Sequence, residues 1–339
     1  MNADLSWSDD ASLPRHSANG WAVWKGKAIP CIDLSEVNNH LKGWNQTSTI
    51  LVGAPNSALF LPPTAIAEVK TSLVTAVIRQ SHFGVFVLFA LSTLFFILAA
   101  LNIGQNRANL ATAIAGISLI AWIDLHWFLR DASCLSERVR YLFWLTHNAL
   151  PRRGFWVCIV FMSILAIGQL ALNATFGYEQ AIETYGFVFK SVRDGEFWRV
   201  LVGPFFHGSF VHFLNNGFML MFLGPVLWPS YGYRCLFFLI IGSSVGATAE
   251  MLSGNLRFDS MVGISGGVFA LFGVAILDGI RSKEVFPRGF TVQLAGICTL
   301  SAGASLLLID NSSVIAHLAG FVAGIAISAM AQVAIGKAV

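Results

Sequence analysis

Five side chains suited to acyl-transfer chemistry lie far apart in this sequence: His207, His212, Asn216, Ser265 and His317. Ser265 stands in Gly263-Ile264-Ser265-Gly266, at the head of the apolar run SGGVFALFG. A serine hydroxyl is a poor nucleophile until a base takes its proton, and histidine has nearly the right pKa for that task. Acyl transfer also needs donors where negative charge develops on the carbonyl oxygen. A serine that opens a helix offers its own backbone N–H, which has no intrahelical partner, and the helix dipole favours an anion there. His212 and Asn216 are four residues apart, hence on one helical face, and can add side-chain donors.

The elements that must position these groups are membrane helices. The chain has 339 residues, of which 55% are hydrophobic and 12% charged, with a mean hydropathy of +0.68. Soluble domains carry about 25% charged residues, and runs of about 20 apolar residues cross a bilayer. The pattern predicts an all-α polytopic membrane protein. Residues 1–82 read as a small soluble module with a helix start at Asp33-Leu34-Ser35-Glu36, a strand-like stretch at 48–54 and a break at Pro62-Pro63. Two accessory spans follow within 83–129, at 83–102 and 108–129. A basic connector, 130–154, leads into a core at 155–335 with six spans: 155–174, 204–227, 234–252, 265–280, 289–308 and 315–335. The net charge of +3 points to no nucleic-acid partner, and the five scattered cysteines suggest neither a disulfide framework nor a zinc site.

Lys and Arg counted on alternate sides of these spans favour both termini in the cytoplasm. Only Arg107, Lys190, Arg193, Arg199 and Arg257, of the 21 basic residues, then fall outside. With that orientation the second, fourth and sixth core spans all run inward, so His207, His212, Ser265 and His317 share the outer leaflet. Ionisable groups at such depth normally face a bundle interior or a wet cavity. The fourth span is also short, about 24 Å against a hydrocarbon core of about 30 Å. Ser265 is therefore expected below the surface, in a hydrated pocket reached by the loop 253–264. Gly320 and Gly324 form a small-xxx-small pair that lets helices approach closely. Each group has a plainer reading alone: a lone serine or histidine in a membrane helix usually packs or bonds a neighbour. The combination of Ser265 with His317 reverses that reading.

Ser265, Asp310 and His317 also follow the order of an α/β-hydrolase triad, but that fold needs a strand, a turn and a helix around the serine. The surrounding spans are apolar helices, so Asp310 is placed at the interface with no catalytic role. Asp124 and His126 are explained by an interfacial position beside the connector rather than as a metal pair. Glu250 faces either the cavity or the headgroups. No metal or cofactor is expected.

The motifs Gly263-Ile264-Ser265-Gly266, His207-x4-His212-x3-Asn216 and Ala316-His317-x2-Gly320-x3-Gly324 together resemble those of rhomboid intramembrane serine proteases, and Glu196-Phe197-Trp198-Arg199 is similar to that family's Trp-Arg element. The resemblance implies a six-helix bundle that cleaves transmembrane protein substrates within the lipid bilayer. It makes Ser265 the nucleophile, His317 the general base, and His212, Asn216 and the Ser265 amide the oxyanion hole. His207 becomes a supporting residue, Trp198 and Arg199 structural elements of the outer loop, and the fifth span a lateral gate. It further implies a bacterial cytoplasmic membrane with the site opening outward. Two departures stand out. Phe269 occupies the place where the family often has a tyrosine stacked on the histidine, and the inner end of the second span lacks the family's frequent acidic residue. A catalytically silent rhomboid-like protein that binds membrane clients is the alternative. A solute transporter fits less well, because the polar groups cluster at one leaflet and no repeat is visible.

Overall fold

The computed structural model describes residues 7–17, 19–45, 47–101, 107–254, 258–282, 284–308 and 313–336. They form two compact units. One comprises Met1–Asn148 with Ser282–Gly296, the other Ala149–Arg281 with Ile297–Val339.

The first unit begins with strands β1 (Trp21–Trp24) and β2 (Ala28–Cys31), helix α1 (Leu34–His40) and strand β3 (Leu51–Gly53). The strands form an antiparallel sheet of order β2-β1-β3, with Trp21 opposite Cys31 and Val23 opposite Val52. Only one of these strands is evident from the sequence, because β1 and β2 have four residues each and neither alternates apolar with polar side chains. Helix α1 starts where Asp33 and Glu36 predict it: the Asp33 carboxylate accepts the Glu36 amide at 2.9 Å. Helix α2 (Ala67–Ala100) then runs unbroken for 34 residues, so the division drawn at residue 82 falls inside it. No proline interrupts it, and the polar first turns and the apolar remainder share one helical register. Helices α3 (Arg107–Trp127) and α4 (Ala132–His147) complete this part.

The basic connector is therefore largely helical. Its Arg138 is buried in a bidentate pair with Asp124, at 2.6 and 2.8 Å, with the guanidinium over the Phe128 ring. That pairing explains Asp124. His126 bonds the Trp122 carbonyl at 3.0 Å. Asp131 caps α4, and the Ser133 hydroxyl and amide hold its carboxyl below the usual carboxylate range. Val23, Val37, Leu51 and Phe60 of the sheet module share one core with Leu73, Leu125, Leu135 and Phe143 of α2, α3 and α4. The module is thus continuous with its helices.

The second unit holds α5 (Ala149–Phe176), α6 (Tyr178–Tyr185), β4 (Phe187–Val188), α7 (Phe189–Arg193), α8 (Arg199–Val202), α9 (Phe210–Tyr231), α10 (Arg234–Leu252), β5 (Ser260–Met261) and α11 (Ser265–Arg281). Helix α12 (Phe290–Leu308) begins in the first unit and passes into the second, and α13 (Val314–Gly336) ends the described chain. Each core span expected from the sequence coincides with a helix. The second starts later than expected, at Phe210, because a 3-10 turn occupies Gly203–Phe205 and Ser209 caps the helix proper.

Among the described residues, four helices are long and apolar enough to cross a membrane: α2, α5, α9 and α10. Ile114–Trp127, Phe290–Gly303 and Val314–Met330 are shorter apolar helices, and the 17 residues of α11 give about 26 Å. The protein is a polytopic, largely helical membrane protein; among the described residues four helices meet those length and composition criteria, where eight spans were read from the sequence. Asp310 and Arg257, used in that reading, lie outside the described residues.

Removing one member of a buried ion pair leaves an uncompensated charge. Asp124→Ala is expected to destabilise the detergent-solubilised protein by about 3–5 kcal/mol, read by thermal unfolding. Asp124→Leu combined with Arg138→Met should recover most of that loss.

Candidate active site

Helix α9 brings His212 and Asn216 to the site. Its first turn is set by Ser209, whose hydroxyl accepts the His212 amide at 3.2 Å. Just ahead, His207 is fixed through its backbone. The Gln169 side chain of α5 donates to the His207 carbonyl at 2.8 Å and accepts the His207 amide at 3.0 Å. The His207 ring donates through Nδ1 to the Phe205 carbonyl at 3.0 Å and packs edge-on against His212.

The approach to Ser265 is held by β5, which pairs antiparallel with β4 through Phe187–Met261 and Val188–Ser260. Gly263 then adopts φ +106°, open to glycine and strained for other residues. A Cβ there would overlap the His212 imidazole. At the start of α11 the Ser243 hydroxyl of α10 donates to the Leu239 carbonyl at 2.8 Å and accepts the Gly267 amide at 3.2 Å.

Helix α13 carries His317. Its cap, Ser313, accepts the Ala316 amide at 2.9 Å and donates to the buried Glu250 carboxylate of α10. Glu250 thus anchors the start of α13 and faces neither of the surroundings considered from the sequence. Gly320 and Gly324 lie against the carbonyls of Gly266 and Ala270, where any Cβ would collide.

These elements place His317 Nε2 3.0 Å from Ser265 Oγ. The Phe269 ring stacks on the His317 ring at 4.4 Å and 19°. A cavity of about 460 Å³ is lined by His212, Asn216, Ser265, Phe269 and His317, with Ser301 of α12 also on its wall. Asn216 is buried, and its Nδ2 has no hydrogen-bond partner among the described residues. His207 does not line this cavity and supports His212 from behind.

Arg199 and Trp198 lie away from it. Arg199 is buried, bonded to Glu196 at 2.5 Å and to the Gly186 carbonyl at 2.9 Å, with its guanidinium over the Trp198 ring. Among the described residues no cluster of three metal-ligating side chains occurs. Gln169, Ser243 and Ser313 escape the sequence reading, since a single polar residue in an apolar run carries no periodic signal. Asp278 escapes it as well. It is buried in α11 and receives Tyr231 at 2.8 Å and Ser328 at 2.7 Å, joining α9, α11 and α13.

Residues 194–332 match the family model described as Rhomboid domain. This match and the relatives below support assigning residues 194–332 to a rhomboid domain. Similar proteins include "RHOMBOID-like protein 5" of Arabidopsis thaliana, 30% identical over 40% of this chain and 44% of that one. "Putative rhomboid protease YdcA" of Bacillus subtilis (strain 168) is 29% identical over 40% of this chain and 68% of its own length. "Rhomboid protease GlpG" of Serratia proteamaculans (strain 568) is 33% identical over 38% and 46%. The match therefore spans less than half of the Arabidopsis and Serratia relatives.

Ser313→Ala removes both the cap of α13 and the hydroxyl that Glu250 accepts. A lost cap costs about 1 kcal/mol, and a buried acceptor left unsatisfied about 1–3 kcal/mol. The variant should unfold at lower temperature than wild type in detergent, whereas Ser313→Thr, which keeps the hydroxyl, should stay close to it.

Proposed function

We propose that this protein is an intramembrane serine endopeptidase that cleaves transmembrane segments of other membrane proteins. The observation that carries the reading is the 3.0 Å separation of His317 Nε2 and Ser265 Oγ beside a polar cavity. In this reading His317 takes the Ser265 proton as the hydroxyl attacks the scissile carbonyl. The tetrahedral oxyanion is met by the Ser265 amide at the start of α11, by His212, and by the otherwise unpartnered Nδ2 of Asn216. His317 then gives its proton to the leaving amine, and water releases the acyl group by the same steps in reverse roles. Phe269 supports the imidazole by stacking. The substrate helix must unwind locally to present a carbonyl, which favours helix-breaking residues near the cut.

The same proposal includes a six-helix core preceded by two accessory transmembrane helices and a small N-terminal module. It places both termini in the cytoplasm of a bacterial cell and opens the site toward the outer side of the membrane. A catalytically silent client-binding protein would have no use for a serine hydroxyl bonded to an imidazole and a spare amide donor beside it.

Detergent-solubilised protein treated with a fluorescent fluorophosphonate tests this directly. Wild type is expected to label, Ser265→Ala not at all, and His317→Ala at least about 100-fold more slowly, the scale of a lost general base. Asn216→Ala should slow labelling by about 100-fold or more if its amide receives the oxyanion. Labelling that survives Ser265→Ala would place the nucleophile elsewhere. Absent labelling of folded wild type would favour the silent binding protein.

A further inference from the structure

Beside the Ser265 cavity lies a second cleft, of about 350 Å³, built within the second unit from the last turns of α5 and the approach to α9. It borders the first cavity along Tyr178, Gly208 and Ser209, but neither Ser265 nor His317 lines it. Its walls are mostly apolar, with Ala166 and Leu170 on α5 and Phe210 and Phe213 on α9. Leu170 is 69% exposed and Phe210 73%. Exposed apolar side chains of this size on two membrane-crossing helices mark a face turned to lipid.

Two acceptor atoms at this cleft are left over. The backbone of His207 is fully used: the Gln169 side chain bonds its amide and its carbonyl, and the Tyr178 hydroxyl also reaches that carbonyl at 3.5 Å. The ring donates through Nδ1 to the Phe205 carbonyl at 3.0 Å. With the proton on Nδ1, a neutral ring keeps Nε2 as an acceptor. That atom has no partner among the described residues, in a residue only 2% exposed. Asn173 lies four residues after Gln169, on the same face of α5. Its Oδ1 is likewise buried and without a partner among the described residues. Both His207 and Asn173 line the cleft.

Buried acceptors without a donor are costly, so the pair selects a ligand that brings N–H or O–H groups. Depth selects further. The 28 residues of α5 span about 42 Å, the thickness of a hydrocarbon core together with its headgroup layers. Asn173 stands in the last turn of that helix, which ends at Phe176, and His207 stands just ahead of α9. Both acceptors therefore lie at headgroup level. No basic side chain lines the cleft, so an anionic headgroup would meet no counter-charge there. An ammonium fits, because its bonds to neutral acceptors are charge-assisted and about twice as strong as neutral ones.

We propose that this cleft binds a phospholipid with a primary ammonium headgroup, phosphatidylethanolamine, whose N–H groups donate to His207 Nε2 and Asn173 Oδ1 while an acyl chain lies against Leu170 and Phe210. The site is separate from the proteolytic reading, since it uses neither Ser265 nor His317.

The test is lipid binding to the full-length protein, delipidated in detergent and titrated with dioleoyl phosphatidylethanolamine, phosphatidylcholine or phosphatidylglycerol, with bound complexes counted by native mass spectrometry. Phosphatidylcholine is the deciding comparison. It has the same net charge and the same chains, but its trimethylammonium has no N–H to donate. Wild type should bind phosphatidylethanolamine about tenfold or more tightly than phosphatidylcholine, the scale of a hydrogen bond to a charged group. Asn173→Leu, which keeps the size and removes the acceptor, should cut that preference to about threefold or less. Asn173→Asp, which keeps an acceptor, should retain it. Ala166→Phe, which fills the cleft, should abolish it. Equal binding of the two lipids by wild type would leave the acceptors to water. Tightest binding of phosphatidylglycerol would point to recognition of an anion or a hydroxyl. A preference that persists unchanged in folded Asn173→Leu or Ala166→Phe would put the ammonium elsewhere. Each of these three results overturns the proposal.

Discussion

Backbone contact between neighbouring helices is the constraint on which the rest of the second unit depends. Lipid supplies no hydrophobic force between membrane helices, so close packing must come from small residues that let main chains touch. Gly320 meets the carbonyl of Gly266, Gly324 that of Ala270, and Gly273 that of Phe321, all across the α11–α13 seam. Helix α10 joins in the same manner, Gly246 against the Ala316 carbonyl and Gly267 against that of Leu239. A single methyl group at any of these positions would drive the helices apart by an ångström or more. The Ser265–His317 bond, at 3.0 Å, tolerates no such separation. The glycines that touch no substrate are therefore as necessary to the geometry as the serine itself.

Helices pressed this closely still have to place polar groups where they are costly, and the fold answers by giving most of them partners on adjacent helices. Ser243 serves the first turn of α11, Glu250 the cap of α13, Gln169 the backbone of His207, and Asp278 accepts from both α9 and α13. Each of these links also fixes the rotation or height of a helix. Asn216 differs from them. Asn216 lines the cavity, and its buried amide nitrogen has no partner among the described residues, although an unmade bond of this kind costs about 1–3 kcal/mol. Such a cost, kept beside Ser265, is what the proposed reaction would exploit when an oxyanion forms there.

The parts of this arrangement that repeat or break a pattern were legible in the sequence. The apolar spans gave the helices, and the Gly-x-x-x-Gly spacing gave the close seam. Phe269 could be placed against His317 one turn after the serine, and the ring does stack there. What escaped was set by tertiary partners that leave no local trace. Glu250 looked equally suited to a cavity or a headgroup until Ser313, 63 residues away, proved to be its partner. Asp124 looked interfacial until Arg138 closed on it. The two-residue strands β4 and β5 are too short to show alternation. Nor did anything in residues 282–296 reveal that they pack with a unit assembled from the first 148 residues.

Phe269 gives the anchoring of α13 added weight. In the resemblance to rhomboid proteases, a tyrosine often stands at this position, offering a hydroxyl as well as a ring. Phenylalanine keeps the stacking face at 4.4 Å but supplies no hydrogen bond to fix the tilt of the imidazole. Among the described residues His317 is restrained by the ring beneath it, the bond to Ser265 and the position of its own helix. That position is set by Gly320 along the seam and by Glu250 holding Ser313 at the start of the first turn. In this chain, orientation that a side-chain hydroxyl would help to supply is carried instead by the backbone of α13, and a buried carboxylate on α10 holds its first turn.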